Sequence, residues 1–91
     1  MTAANAGEWA LVRDHLHDLV QGGLTPLSGG RLLRASSERL GDPAALRELV
    51  RWAAMLETWI PTDVTPTSFC EDQLLQQARV LLAGTWPPRD G

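Results

Sequence analysis

The third predicted helix carries more apolar surface than a helix on the outside of a small protein needs. Between residues 46 and 60 a core-type line recurs at three- and four-residue spacing, and its members are Leu46, Leu49, Val50, Ala53, Leu56 and Ile60. A second apolar line runs beside it through Trp52, Met55 and Trp59. Together the two lines cover well over half of the helix circumference, whereas a helix that is packed on one side needs an apolar face of about 100°. We therefore expect this helix to be covered on several sides, by its own chain or by a partner.

Length and charge limit the class of protein. A chain of 91 residues is expected to form a single domain, residues 1–91, with a modest core. The net charge of −3 gives no overall support for binding phosphate groups. One cysteine cannot form an internal disulfide and fits a reducing compartment. No run of 18 apolar residues predicts a membrane span, and residues 1–7 lack the pattern of a signal peptide, so we expect a cytoplasmic protein.

Apolar periodicity predicts an all-α fold, a compact four-helix bundle with helices at about 7–21, 29–40, 43–59 and 68–83. Residues 1–6 and 85–91 are expected to be flexible or extended tails. The expected buried line of the first helix is Trp9, Val12, Leu16, Leu19 and Val20. The second helix has only a thin line of Leu32, Leu33, Ser36 and Leu40, and that of the fourth is Phe69, Leu74, Leu75, Ala78, Leu81 and Leu82.

Glycine and proline predict where the helices end. Gly22 and Gly23 follow the first helix and are expected to end it in the left-handed conformation of a helix C-terminus. Gly41 and Gly84 are expected to end the second and fourth helices. Pro61 ends the third helix, because the residue before a proline is pushed towards extended backbone.

Two helix starts carry capping signals. Asp42 is expected to cap the third helix, with Pro43 at the first helical position. Ser68 and Glu71 have the spacing of a capping box at the start of the fourth helix.

Candidates for chemistry are weak. His15 and His17 point to opposite sides of a helix and cannot share a metal ion. Cys70 is followed by Glu71 and Asp72, whose charges oppose a thiolate, so a small structural residue is expected there. We therefore expect no catalytic, cofactor-binding or metal-binding site and predict that the protein is not an enzyme.

The tryptophans carry the functional prediction. Trp, Met and Arg are enriched at protein interfaces, and Trp and Arg are common among the few residues that contribute most of the binding energy. The predicted partner-binding residues are Trp52, Met55 and Trp59 at the centre, Arg51 and Arg47 at the rim, and Trp86 as a further anchor before two prolines. They predict a non-enzymatic protein–protein interaction module, or adaptor, whose partner is another protein chain or a second copy in a homodimer. Alternatively, the two central tryptophans belong to the bundle core.

An arginine cluster supports an alternative function, a small helical DNA-binding regulator. Its members are Arg31, Arg34, Arg39, Arg47 and Arg51, spread over two helices joined by a tight turn. However, the helix that would enter the major groove begins Pro43-Ala44-Ala45-Leu46, which has no side chains that read bases. The sequence therefore argues against nucleic acid as the partner.

Three short segments resemble a known family. They are residues 8–12 (Glu-Trp-Ala-Leu-Val), residues 41–46 (Gly-Asp-Pro-Ala-Ala-Leu) and Leu56-Glu57 followed by Pro61, and Thr65-Pro66 is similarly placed before the last helix. In these the chain resembles the CATRA-associated small proteins of actinobacterial conflict systems, which are encoded beside caspase-like and repeat-containing partners. The resemblance implies an all-helical adaptor without an active site, in a bacterial immunity or signalling locus.

Overall fold

Four α-helices make up the fold of the computed structural model, which describes residues 3–60, 66–86 and 88. They are α1 (Ala3–Gln21), α2 (Pro26–Arg39), α3 (Arg47–Thr58) and α4 (Thr67–Ala83), and a short 3-10 turn (Ala44–Leu46) leads into α3. No strand occurs among the described residues. The predicted all-α four-helix bundle is therefore confirmed. The predicted loop before α4 and most of the predicted C-terminal tail fall on residues 61–65, 87 and 89–91, outside the described part.

The helices form a ring in which each packs on its neighbours in sequence, and α4 closes the ring against α1. α2 also touches α4 across the bundle. The ion pair of Glu8 with Arg39 joins the start of α1 to the end of α2, so these two helices run antiparallel. None of the described helices is long and apolar enough to cross a membrane.

Every helix contributes to one buried core. Its apolar members are Trp9, Val12, Leu16, Leu19, Leu33, Leu46, Leu49, Ala53, Leu56, Cys70, Leu74 and Ala78. The buried line of α1 is the predicted one, except that Val20 is only half-buried. α1 itself begins at Ala3, four residues before the predicted start, because the alanines there are the strongest helix formers.

Gly22 and Gly41 end α1 and α2 as predicted. Both have left-handed backbone, with φ of 85° and 82°. After α1, the N–H of Gly23 donates to the carbonyl of Asp18 at 2.7 Å, and after α2 the N–H of Asp42 donates to that of Ser37 at 2.8 Å. The N–H groups of Gly22 and Gly41 donate in turn to the carbonyls of Leu19 and Glu38. Each pair of hydrogen bonds is a Schellman motif, which satisfies the last carbonyls of the helix.

α2 begins three residues earlier than predicted, because Thr25 caps it. The Thr25 hydroxyl accepts a hydrogen bond from the N–H of Ser28 at 3.1 Å, and Pro26 occupies the first position, where no N–H is needed. Gly29 and Gly30 therefore lie inside the helix, and both are buried. A Cβ on Gly29 would come within 2.8 Å of Leu19 on α1, so the absence of side chains lets α2 lie close to its neighbours.

The two predicted capping signals are wrong. Asp42 has a φ of 56° and belongs to the end of α2, and the turn into α3 starts after Pro43 without a side-chain cap. α4 starts at Thr67, so Ser68 lies inside the helix and cannot act as its cap. In both places the backbone conformation of the preceding segment determines where the helix starts. A pattern of capping side chains does not predict that conformation.

Candidate functional site

A group of incompletely buried apolar side chains lies where α3 ends and α4 begins. We call it the apolar patch, and it consists of Trp52, Met55, Trp59, Ile60 and Phe69. Ile60 is 81% exposed and Phe69 42% exposed, while the other three are half-buried. The Trp52 and Phe69 rings pack edge to face, with centroids 5.9 Å apart. The two α3 tryptophans are thus neither sealed in the core nor fully exposed.

The position of Trp52 and Trp59 follows from their spacing on α3. Seven residues apart, they lie within about 20° of each other around the helix. The core side of α3 is set by Leu49 and Ala53, and the tryptophans lie beside it on the edge that faces α4. α3 therefore uses its wide apolar surface to pack on both α2 and α4, and only its outer margin is left over.

Ile60 departs from the prediction that it continues the core line of α3. The helix ends at Thr58, and Trp59 has extended backbone with a ψ of 132°, so Ile60 leaves the helical path and projects into solvent. Pro61 disfavours helical backbone at the residue before it. The proline was therefore the signal that could have removed Ile60 from the core line and placed it on the surface.

Phe69 departs from the predicted buried line of α4. That line instead runs through Cys70, Leu74 and Ala78 at regular four-residue steps. Phe69 is one residue, and so about 100°, away from it, which places the ring at the edge of α4 against Trp52. The four-residue spacing was the available signal, but choosing between two adjacent residues requires the position of α3.

Two arginines border the apolar patch on α3. Arg47, Arg51, Met55 and Trp59 follow one another at four-residue steps and so form one ridge of the helix. The guanidinium of Arg51 lies 3.6 Å from the carboxylate of Glu48, and both side chains are more than half exposed, so this pair contributes little. Arg47 is exposed and forms no ion pair with any described residue. Both positive charges are therefore available to a ligand.

The other three arginines of the predicted cluster are held by carboxylates. Arg31 and Arg34 both bond to Glu57 of α3, the former at 3.1 Å from Nε to Oε1. Arg39 bonds to Glu8 of α1, at 2.6 Å from Nε to Oε1. The cluster lies on two helices, α2 and α3, and each of its three α2 members has a negative partner, which lowers the positive potential that DNA binding would require.

Glu8 forms a polar clamp between α1 and α2. Its side chain is only 16% exposed. The fully buried hydroxyl of Ser36 donates to Oε2 of Glu8 at 2.9 Å, beside the two hydrogen bonds from Arg39. The hydrogen bonds from Arg39 hold the pKa of Glu8 below its usual value. This hydrogen bond explains why a polar residue, Ser36, occupies a buried position in the thin apolar line of α2.

Trp86 lies at the other end of α4, away from the apolar patch. Its ring meets Trp9 of α1 edge to face at 6.2 Å, and the Arg13 guanidinium carbon lies 5.9 Å from its centroid. From Phe69 to the end of α4 the helix rises about 21 Å. The structure therefore brings Trp52, Met55 and Trp59 together but places Trp86 at a separate position.

The candidate chemical groups do not converge in the described part of the chain. Cys70 is buried, and burial raises the pKa of its thiol, which disfavours the reactive thiolate. His15 is half-buried and His17 exposed. Within residues 3–60 and 66–86, no three His, Cys, Asp or Glu side chains are grouped to hold a metal ion.

The arrangement combines partly exposed aromatic and aliphatic side chains with two exposed guanidiniums on α3. No family model, curated protein or solved structure matches the chain.

Proposed function

We propose that the protein is a non-enzymatic protein–protein interaction module whose contact surface is the apolar patch, with Arg47 and Arg51 on its rim. The observation that carries the proposal is the edge-to-face contact of half-buried Trp52 with Phe69, which is 42% exposed. Ile60, which directly follows half-buried Trp59 in the chain, is 81% exposed just after the end of the helix that carries Trp52. Single exposed apolar residues are ordinary, whereas several large apolar side chains near one another with charge at their border are typical of a binding site. Tryptophan, methionine and arginine are also the types that dominate binding energy at interfaces.

The size of the apolar patch favours a short binding partner. A large side chain presents roughly 200 Å² when fully exposed, so Ile60 and Phe69 together offer about 250 Å². The half-buried residues bring the total to roughly 300–500 Å², against the roughly 800 Å² per partner of a stable protein complex. We therefore favour a single segment of another protein, bound transiently, over a permanent dimer of this chain.

The order of charged and apolar side chains along the α3 ridge indicates what kind of segment would bind. Along one line of α3, two guanidiniums are followed by Met55 and Trp59. A short amphipathic helix fits this order, with apolar side chains at i, i+3 and i+4 against the apolar patch and carboxylates against Arg47 and Arg51. Arginine pairs with carboxylates through two parallel hydrogen bonds, which would fix the direction of the bound helix.

The proposed biological setting rests on the resemblance described above. The resemblance to the CATRA-associated small proteins implies an adaptor in a bacterial conflict or signalling system. An acidic helix of a second protein is a suitable ligand for an adaptor. A cytoplasmic location is part of the proposal, because a lone buried thiol needs no oxidising compartment.

A peptide-display selection tests the proposal. The bait is the full chain, and the library encodes 16-residue amphipathic helices with acidic, neutral or basic flanks. We expect enriched peptides to carry acidic residues towards one end and to bind Ile60→Glu at least tenfold more weakly than the wild type. Because Ile60 is exposed outside a helix, the substitution should leave the fold intact. Leu11→Glu is the matched control, since Leu11 is also an exposed apolar residue, 41%, but lies on α1.

Charge reversal and sedimentation complete the test. Arg51→Glu should weaken the binding of acidic peptides and strengthen the binding of basic ones. Enrichment of no peptide, or equal binding to the wild type and Ile60→Glu, would overturn the proposal. A wild-type dimer at micromolar concentration that becomes a monomer in Ile60→Glu would show that a second copy occupies the surface, which contradicts the choice of an acidic helix.

A further inference from the structure

The segment after α4 folds back onto α1 through one aromatic side chain. α4 ends at Ala83, and Gly84 continues in extended backbone with φ −89° and ψ −170°. Two residues later Trp86 reaches Trp9, which is only 6% exposed, and Arg13 covers the Trp86 ring from one side. We call residues 84–86 the C-terminal clasp.

The C-terminal clasp is held by few interactions. In the described part of the chain its one backbone hydrogen bond is from the N–H of Gly84 to the carbonyl of Leu81, at 3.2 Å. Beside it lies a shallow depression of about 250 Å³ lined by Val80, Leu81, Gly84, Thr85 and Pro88. The aromatic contact and the Arg13 cation–π contact are thus the principal specific attachments.

One feature of the closed position opposes it. The Nε1–H group of Trp86 is buried and has no hydrogen-bond partner among the described residues. A buried donor without a partner is unfavourable, because it has given up its hydrogen bond to water. Release of Trp86 would restore that hydrogen bond to water, and Trp86 itself lies beyond Ala83, the last residue of α4.

We propose that the C-terminal clasp opens while the four helices stay folded, and that opening uncovers Trp9 as a second aromatic surface between α1 and α4. Trp86 is then a releasable internal ligand of a site formed by Trp9 and Arg13. This site lies at the opposite end of α4 from the apolar patch, so it is independent of the function proposed above.

Fluorine NMR of the full chain tests the proposal. The protein is labelled with 5-fluorotryptophan, and its four tryptophan signals are assigned with single Trp→Phe variants. During a urea titration we expect the Trp86 signal to reach its exposed position at a lower urea concentration than the loss of helical circular dichroism. Coincidence of the two transitions would mean that Trp86 leaves only when the bundle unfolds, which overturns the proposal.

A pair of arginine variants adds a second measurement. Arg13→Ala removes the cation–π contact, which at an exposed site corresponds to about a two- to fivefold increase in the ratio of open to closed clasp. Arg79→Ala is the control, because Arg79 is exposed on α4 and makes no cation–π contact within the described residues. Equal open fractions in the two variants would also overturn the proposal.

Discussion

Replacing Gly30 with alanine tests the close packing of α2 in the bundle. A Cβ at this position would lie 3.0 Å from the Cβ of Ala53 on α3 and 3.6 Å from a methyl carbon of Leu74 on α4. The first distance is shorter than ordinary carbon–carbon contact, and the Ala53 Cβ is fixed to its own backbone and cannot rotate away. The substitution therefore forces α2 and α3 apart.

Two opposing terms set the magnitude. Alanine is favoured over glycine inside a helix by about 1 kcal/mol. Overpacking a well-filled core costs roughly 1–3 kcal/mol. We expect Gly30→Ala to lower the free energy of unfolding by about 0–2 kcal/mol, as measured by urea titration with circular dichroism.

Gly7→Ala is the matched control. Gly7 lies inside α1, and a Cβ there would meet nothing within 4 Å, so only the gain in helix propensity of about 0.5–1 kcal/mol remains. The two variants should differ by about 1–3 kcal/mol, and each kcal/mol corresponds to roughly 4–8 °C in Tm. Adding Ala53→Gly to Gly30→Ala removes the clashing atom, so the double variant should lose less stability than the sum of the single ones. If Gly30→Ala stabilises as much as Gly7→Ala, the packing argument is wrong.

Three further predictions concern the helix ends and the clamp on α1. Because the pKa of Glu8 is lowered in the folded state, its contribution to stability is present above pH about 4.5 and is lost as the pH falls through the folded pKa. Glu8→Gln should therefore flatten the acid side of the stability profile measured by urea titration from pH 3 to 7, and an unchanged profile would contradict the clamp. Thr25→Ala removes the cap on the Ser28 N–H and should cost about 1 kcal/mol, whereas Thr25→Ser should retain most of it. Gly41→Ala places a side chain at φ 82° and should lower stability by about 1 kcal/mol in thermal unfolding, and a stabilised variant would exclude the left-handed turn.

Large apolar residues predicted the buried residues of α1 well and those of the other helices only in part, since Leu32 is 40% exposed and Val50, Leu75, Leu81 and Leu82 are half-buried. The pattern of α1 identified four of its buried residues, since each is large and faces the core at helical spacing. α2 instead buries Gly29, Gly30, Ser36 and Ser37 beside Leu33. Small residues contribute to a helix contact by allowing the helices to approach, and a count of large apolar side chains does not register them.

The candidate site was predictable in part for a related reason. The spacing of Trp52, Met55 and Trp59 placed them on one side of the third helix, and all three are half-buried. How far that side is covered depends on the rotation of α4, which decided between Phe69 and Cys70 as the buried residue. Such a choice between neighbouring positions is made by packing between helices, and local sequence contains no record of it.

The thiol of Cys70, near the start of α4, is 0% exposed, so its chemical reactivity can be used to measure how often the bundle opens. A thiol-modifying reagent added to the native protein can reach that sulfur only when α4 moves away from the core. The slow reaction rate, divided by the rate for an unfolded chain, therefore gives the population of open molecules without an introduced label. Since the C-terminal clasp lies at the other end of the helix, its release should leave this reaction unaffected.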